Sequence, residues 1–216
     1  MDTKATARVE ACSDGVFAIA ITLLILAIQV PDLPHGTANR ALFQALRATW
    51  PSLLAFGISF ATLLILWVNH HGLFHLLETV DRRALFANGL LLLLVTFVPF
   101  PTAVLARYLD QEAANVAAAL YCGTYVCICL AYDIFWYTVA SRRWLLRAHI
   151  SQRDIHRIRH AYVIAFPIYL VATLVALLSP FAGLAMCSSL WLLWARLHYG
   201  PPEEVGNIHA HPPPRP

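Results

Sequence analysis

Charge is scarce in this chain of 216 residues. Asp, Glu, Lys and Arg make up 12% of it, about half of the roughly 25% that is typical of soluble globular domains. Hydrophobic residues reach 59%. A chain with so few polar groups cannot cover a water-facing surface, so the composition excludes an ordinary soluble domain and predicts a polytopic membrane protein.

Cysteines are few, and their placement excludes a disulfide framework. The five are Cys12, Cys122, Cys127, Cys129 and Cys187, and all lie at or within apolar segments. An odd number of cysteines in apolar helices is not the pattern of a disulfide-linked scaffold. We expect these side chains to behave as small hydrophobic groups.

Six apolar segments recur along the chain, and each approaches the roughly 20 residues needed to cross a bilayer. They lie at about 13–30, 50–69, 84–105, 113–140, 161–178 and 180–197. Only Ser179-Pro180 joins the last two, so these form a predicted helical hairpin. The sequence predicts an all-α domain of six transmembrane helices over residues 1–200. A disordered, proline-rich tail is predicted for residues 201–216.

The 15 Lys and Arg residues predict the orientation of these helices. With the N-terminus inside, only Arg40, Arg47 and Arg107 fall on the outer side, and the other twelve lie on the inner side. Short loops rich in Lys and Arg face the cytoplasm. We therefore expect a multi-pass protein of the cell membrane with both termini and the tail in the cytoplasm. The Arg-rich segment 141–160 is expected to contact anionic lipids rather than nucleic acid.

The first span carries a continuous apolar stripe. On an ideal helix that turns about 100° per residue, Ile19, Leu23 and Leu26 lie within about 40° of one another. Thr22 lies about 60° to the side of Ile19. The stripe has alternating spacings of four and three residues and consists of Cys12, Val16, Ile19, Leu23, Leu26 and Val30. Such spacing is typical of helices that pack around a common axis, and an ordinary lipid-embedded packing face is the alternative.

Polar residues are predicted to meet at the inner membrane level. Asp14 lies about 140° from Ile19 and so points away from the stripe. The second span ends and the third span begins at the same depth. The polar residues expected there are Asp14, Trp67, Asn69, His70, His71 and Asn88. A carboxylate, imidazoles, an indole and amides at one level can satisfy one another's hydrogen bonds, so we expect a network that fixes the first helix.

Two other roles for these residues stay open. His71 and His75 lie four apart on one helix face and could hold a metal ion together with Asp14. Because no other group has firm ligand spacing, we expect no metal and no other cofactor. Asp14, His70, His71 and Asp133 could instead form a relay in a transporter, although the chain lacks the matching halves that transporters often show. No pairing of a nucleophile with a base suggests an enzyme.

The start of the first span is similar to a known signature. Arg8-x-x-x-Cys12-Ser13-Asp14, followed by GVFAIAITLLIL, resembles the Arg-x-x-x-Phe-Ser-Asp signature of the transmembrane protein 175 family of potassium channels. The later stretch LWVNHHGLFHLLETVDRRALFANGLLLLLVTFVPFPT is similar to the second and third helices of its prokaryotic, single-repeat members. The resemblance covers the first half of the chain, and Cys12 replaces the phenylalanine of the signature.

The resemblance implies a homotetramer in which four copies of the first helix surround a central cation pathway. It implies a pore constriction at Ile19, Leu23 and Leu26, with Thr22 as a polar ring. The signature residues are Arg8, Ser13 and Asp14, and the residues expected in the hydrogen-bond network beside them are Trp67, His70, His71 and Asn88. Like the family, the chain lacks the TVGYG filter of ordinary potassium channels. The function implied is a potassium-preferring cation channel, and a proton- or ion-coupled secondary transporter with an Asp/His relay is the alternative.

Overall fold

The computed structural model describes residues 3–195, and these residues fold into helices. The α-helices are α1 Thr3–Leu23, α2 Asn39–Ala48, α3 Trp50–His75, α4 Arg82–Phe97, α5 Pro99–Tyr108, α6 Ala114–Ala140, α7 Gln152–Ala176 and α8 Pro180–Ala195. Two short 3₁₀ segments cover Leu24–Ala27 and Arg143–Leu145. An isolated β-bridge joins Leu77 to Leu146. The all-α prediction is confirmed for the described residues.

Five helical segments are long and apolar enough to cross a membrane. They are Thr6–Ala27, Trp50–His75, Arg82–Tyr108, Ala114–Ala140 and Gln152–Ala176. A shorter apolar helix, Pro180–Ala195, follows them and extends to the last described residue. The chain is thus a polytopic helical membrane protein. The tail predicted for residues 201–216 lies outside the described residues.

The third apolar segment consists of two helices because of its prolines. Pro99 has no N–H, so it cannot donate to the carbonyl of Val95 as a helical residue would. The Val98 amide donates to that carbonyl instead, at 3.2 Å. The next helix then starts with Pro99 in its first turn, where the missing donor costs nothing. The span therefore continues across the break.

Helix α7 begins at Gln152, well before the apolar run predicted from residue 161. A capping box explains this start, because the Ser151 hydroxyl accepts from the Asp154 amide and the Asp154 carboxylate accepts from the Ser151 amide. The motif satisfies two backbone donors that a helix N-terminus leaves free. The second half of the basic segment 141–160 is therefore helical, and its first half forms the loop that contains the β-bridge.

The core of the subunit lies along α6. In an apolar stretch of 18 residues of this helix, 61% of the residues are buried, compared with 22% in the corresponding stretch of Thr6–Ala27. Tyr121, Tyr125 and Trp136 are among the largest fully buried side chains. The first helix packs on α3 and α4 at the periphery. The subunit therefore leaves a large part of its first helix uncovered.

The hairpin of α7 and α8 depends on a close approach at Gly183. A Cβ atom at this position would lie 2.5 Å from the Cβ and 2.6 Å from the Cα of Ala176. Because one of these atoms is backbone, no side-chain rotation could relieve the clash. Glycine is thus required for this helix contact.

We predict that Gly183→Ala destabilises the protein by about 1–3 kcal/mol, because the added methyl group forces α7 and α8 apart. The melting temperature of the purified protein in detergent measures the effect, at about 2–4 °C per kcal/mol for a chain of this size. Gly123→Ala is the matched control, because its Cβ would meet only Thr173 Cγ2 at 3.6 Å. Equal melting temperatures for the two variants would contradict the requirement for glycine at position 183.

Candidate functional site

The candidate site lies where the first half of α1 packs against the end of α3 and the start of α4. The helices run in alternating directions, so Ser13 and Asp14 lie level with residues 67–71 and with Asn88. Ser13 and His70 are fully buried, and Asn88 is nearly so. Buried polar groups need hydrogen-bond partners, and the described residues supply most of them.

A chain of hydrogen bonds joins these three helices. Asn88 donates from Nδ2 to Ser13 Oγ at 3.0 Å, and its Oδ1 accepts from His70 Nε2 at 2.9 Å. Ser13 donates in turn to the carbonyl of Val9 at 2.9 Å. Because Asn88 Oδ1 is an acceptor, the His70 proton lies on Nε2. The amide of Asn88 thus fixes α1 and α3 relative to α4.

The His70 ring is enclosed by aromatic side chains. Its centroid lies 4.6 Å from that of Phe74 and 5.3 Å from that of Phe17. Phe135 of α6 stacks at 6.5 Å. The ring therefore links the polar chain to the core of the subunit.

Asp14 takes part in a separate contact. Trp67 donates its indole N–H to Asp14 Oδ1 at 2.9 Å. The Trp67 ring also stacks on His71, with centroids 6.1 Å apart. In the described residues, neither His70 nor His71 hydrogen-bonds to Asp14, so the residues expected to form one network make separate contacts.

His71 faces Glu10 rather than Asp14. Its Nδ1 lies 2.9 Å from Glu10 Oε1, and its Nε2 lies 2.9 Å from Nε2 of His75. Glu10 was not among the residues predicted for this network from the sequence. Its position one helical turn before Asp14 was the available signal, because residues four apart share a helix face.

Arg8 is exposed at the start of α1, and within the described residues it has no ion pair or hydrogen bond. It lies instead beside a surface groove of about 420 Å³ that Cys12, Ser13, Leu85 and Asn88 also line. The guanidinium of the signature therefore has no partner within the described part of its own subunit.

The two faces of the first helix have opposite environments. Phe17, Ala20 and Leu24 are buried against the subunit. Ile19 is 60% exposed, Leu23 39% and Leu26 70%. Helical residues three and four apart share a face, so these exposed side chains form one apolar strip. The single subunit leaves this strip uncovered.

The strip crosses a change of helix type. The α-helix ends at Leu23, and Leu24–Ala27 form a 3₁₀ segment. In a 3₁₀ segment the side chains at i and i+3 eclipse, so Leu26 lies above Leu23 more directly than on the ideal α-helix. Thr22 is exposed beside the strip and donates its hydroxyl to the Ile19 carbonyl at 2.9 Å. The hydroxyl oxygen keeps its lone pairs for an incoming group.

Comparison with known proteins gives consistent matches. The family model described as endosomal/lysosomal potassium channel TMEM175 matches residues 8–99. A potassium channel of Chamaesiphon minutus is 42% identical over 191 residues, which cover 88% of this chain and 93% of the relative. A potassium channel of Streptomyces collinus is 51% identical over 60% of this chain and 62% of the relative.

A human protein and a solved structure extend these matches. The human endosomal/lysosomal proton channel TMEM175 is 42% identical over 50% of this chain and 23% of its own length. The crystal structure of a lysosomal potassium-selective channel TMEM175 homolog from Chamaesiphon minutus superposes with a TM-score of 0.78. That match has 42% identity and covers 88% of this chain and 96% of the other.

We predict that Asn88→Ala destabilises the subunit by about 1–2 kcal/mol, because both His70 and Ser13 lose a buried partner. The melting temperature in detergent measures the loss. Thr96→Ala is the control on the same helix, since its exposed hydroxyl bonds only to its own helix at Leu92. If Thr96→Ala lowers the melting temperature as much as Asn88→Ala, the bridging role of Asn88 is wrong.

Proposed function

The chain belongs to the TMEM175 family, a family of ion channels and not of enzymes, and from this premise we propose that it is a potassium-preferring cation channel. The relatives from Chamaesiphon minutus and Streptomyces collinus are named potassium channels. The first of them matches nearly the whole chain. Because the match covers 88% of this chain and 93% of the relative, it supports a channel formed by all six proposed spans rather than by one shared fragment.

We propose a homotetramer whose central pore is lined by four copies of α1. The observation that carries this proposal is the uncovered apolar strip of Ile19, Leu23 and Leu26 on a helix whose opposite face packs on its own subunit. Four such strips around one axis would bury each other's side chains. Arg8, exposed at the inner end of the same helix, would then face an acid of a neighbouring subunit.

The proposed constriction is a narrow hydrophobic neck. Rings of Ile19, Leu23 and Leu26 side chains exclude water, and a dewetted neck blocks ions. Opening requires the four helices to rotate or to separate. Thr22 supplies the polar ring, since its hydroxyl oxygen can replace part of the water around a passing cation. The strip and Thr22 together thus provide a gate and a site for the ion.

The proposed channel crosses the cell membrane six times, with α8 as the sixth span and with lipid around the tetramer. Both termini are placed in the cytoplasm. The loop contacts support one common inner end, because Arg142 pairs with Asp81 at 3.5 Å and the Arg147 amide donates to the Leu76 carbonyl. The loop 76–81, which directly precedes Arg82 and Arg83, thus meets the basic loop 141–151 at that end.

The Asp/His relay of the transporter alternative gains no support from the structure. Asp133 lines a cavity of about 380 Å³ between α6 and α7 together with His156 and Arg159. Asp14 and His70 do not line this cavity. Asp133 thus lies apart from Asp14 and His70, and this separation favours the channel as the proposal.

We predict that Leu23→Ala and Ile19→Asn each raise single-channel conductance and lower the preference for potassium over sodium, because the neck becomes wider or wetter. Planar-bilayer recordings under a potassium/sodium gradient give both quantities. Leu192→Ala, an exposed leucine on α8, is the matched control and should leave the currents unchanged. Saturable flux at transporter rates, insensitive to these changes, would favour the relay. Channel currents insensitive to both would place the pore elsewhere.

We predict that Asp14→Ala weakens the tetramer in detergent more than it alters permeation in the channels that survive. Loss of the carboxylate leaves the Trp67 indole without its acceptor, and this hydrogen bond holds α1 against α3. Size-exclusion chromatography with light scattering measures assembly, and bilayer recordings measure permeation. Asp110→Ala, an exposed acid outside the site, is the control. Intact tetramers without current would make Asp14 a conduction residue.

A further inference from the structure

Three potential metal ligands converge at the inner end of α1 and α3. Glu10, His71 and His75 each offer one ligand atom, and these atoms lie within 4.8 Å of one another. The two histidines come from consecutive turns of α3, and the carboxylate comes from α1. The rings of His71 and His75 are perpendicular, at 89°, and their centroids lie 4.4 Å apart. The sequence suggested Asp14 as the acid beside His71 and His75. In the structure Glu10 takes that place, because Asp14 accepts a hydrogen bond from Trp67 instead.

Two atoms of this group lack a normal hydrogen bond. Glu10 Oε1 and His71 Nδ1 are buried, lie 2.9 Å apart and have no well-formed hydrogen-bond partner in the described part of the chain. Buried polar atoms need a partner, and an ion bound beside this pair can supply one. The His71 and His75 side chains keep access to solvent, so an ion can reach them.

The donor set and its geometry fit a divalent transition metal. Imidazole nitrogen and carboxylate oxygen bind Zn²⁺ at about 2.0–2.2 Å, which places neighbouring ligands about 3.3 Å apart. The 2.9 Å between His71 Nε2 and His75 Nε2 needs only a small side-chain rotation to reach that value. Glu10 Oε1 lies 2.9 Å from the other ring nitrogen of His71, Nδ1. Two histidines and one acid also leave an open position for water, as in many three-ligand zinc sites.

We propose that Glu10, His71 and His75 form a binding site for a divalent transition-metal ion of the zinc class. His75 and His71 supply the two imidazoles. Glu10 either completes the ligand set or orients His71 through its other ring nitrogen, as carboxylates commonly do beside zinc-bound histidine. The bound ion links α1 to α3 on the side of α1 away from the apolar strip.

The link that the ion makes between α1 and α3 has a consequence for conduction. This consequence rests on the proposed function. The ion would tie the proposed pore helix to its own subunit. Movement of α1 relative to α3 would then require the ligands to separate. Zn²⁺ should therefore change potassium current in the natural protein and leave it unchanged in His75→Ala.

Metal binding itself is tested on the full-length protein in detergent, purified without a polyhistidine tag. Calorimetric titration with Zn²⁺ and visible absorption with Co²⁺ should show one ion per chain. Glu10→Gln should weaken binding about 10–100-fold, and His75→Ala at least as much. His75 is exposed, so its variant is expected to fold even if Glu10→Gln or His71→Ala does not.

The chain supplies two matched controls for this titration. His156 and His160 have the same spacing of four residues on α7, so His156→Ala with His160→Ala should keep the affinity of the natural protein. His209→Ala with His211→Ala tests the histidines near the C-terminus in the same way. Absence of stoichiometric binding, or unchanged affinity in His75→Ala, would overturn the proposal.

Different measurements test the proposed channel and the proposed metal site. Absence of potassium current in bilayers would overturn the proposed channel and leave the calorimetric result unaffected. Absence of bound metal would overturn the site and leave the bilayer result unaffected. Binding that is lost only in one of the two control variants would assign the ion to those histidines and overturn the site on α1 and α3.

Discussion

The amide of Asn88 joins three helices in a lipid environment, where no hydrophobic effect drives helices together. Hydrocarbon solvates apolar side chains about as well as a neighbouring helix does, so helix association in membranes depends on close packing and on polar contacts. Asn88 makes two such contacts, with Ser13 of α1 and His70 of α3. The remaining geometry of the first helix follows from this bridge. The depth and rotation of α1 determine which of its side chains face the subunit and which do not.

The first helix accordingly has two faces with opposite environments. Phe17, Ala20 and Leu24 attach it to the core, which is built around α6. The opposite strip of Ile19, Leu23 and Leu26 is left uncovered by the subunit. A helix with so little of its surface buried in its own subunit would be poorly placed without polar contacts, and these lie towards its N-terminal end. Fixed at that end and uncovered further out, the helix is suited to move at the level of the proposed neck.

Composition and hydropathy predicted the helical membrane fold, and helix order predicted which residues share a depth. Asp14 and Trp67 are an example, because antiparallel spans bring the start of one beside the end of the next. The sequence could not show that His71 faces Glu10. That contact depends on how α1 is rotated about its axis, and a rotation of a few tens of degrees exchanges Glu10 for Asp14. Nor does a local pattern indicate the pairing of Leu77 with Leu146, since the two loops are distant in sequence.

The 3₁₀ segment Leu24–Ala27 has a consequence for the C-terminal end of the first span. It advances about 2.0 Å and 120° per residue, compared with 1.5 Å and 100° in an α-helix. Over four residues the difference amounts to about 2 Å of length and roughly 80° of azimuth. Side chains from Ile28 outward therefore point in directions that a continuous α-helix would not give them. The directions of the side chains beyond Ala27 are thus set by the winding of this one turn rather than by the helix face that continues from Leu23.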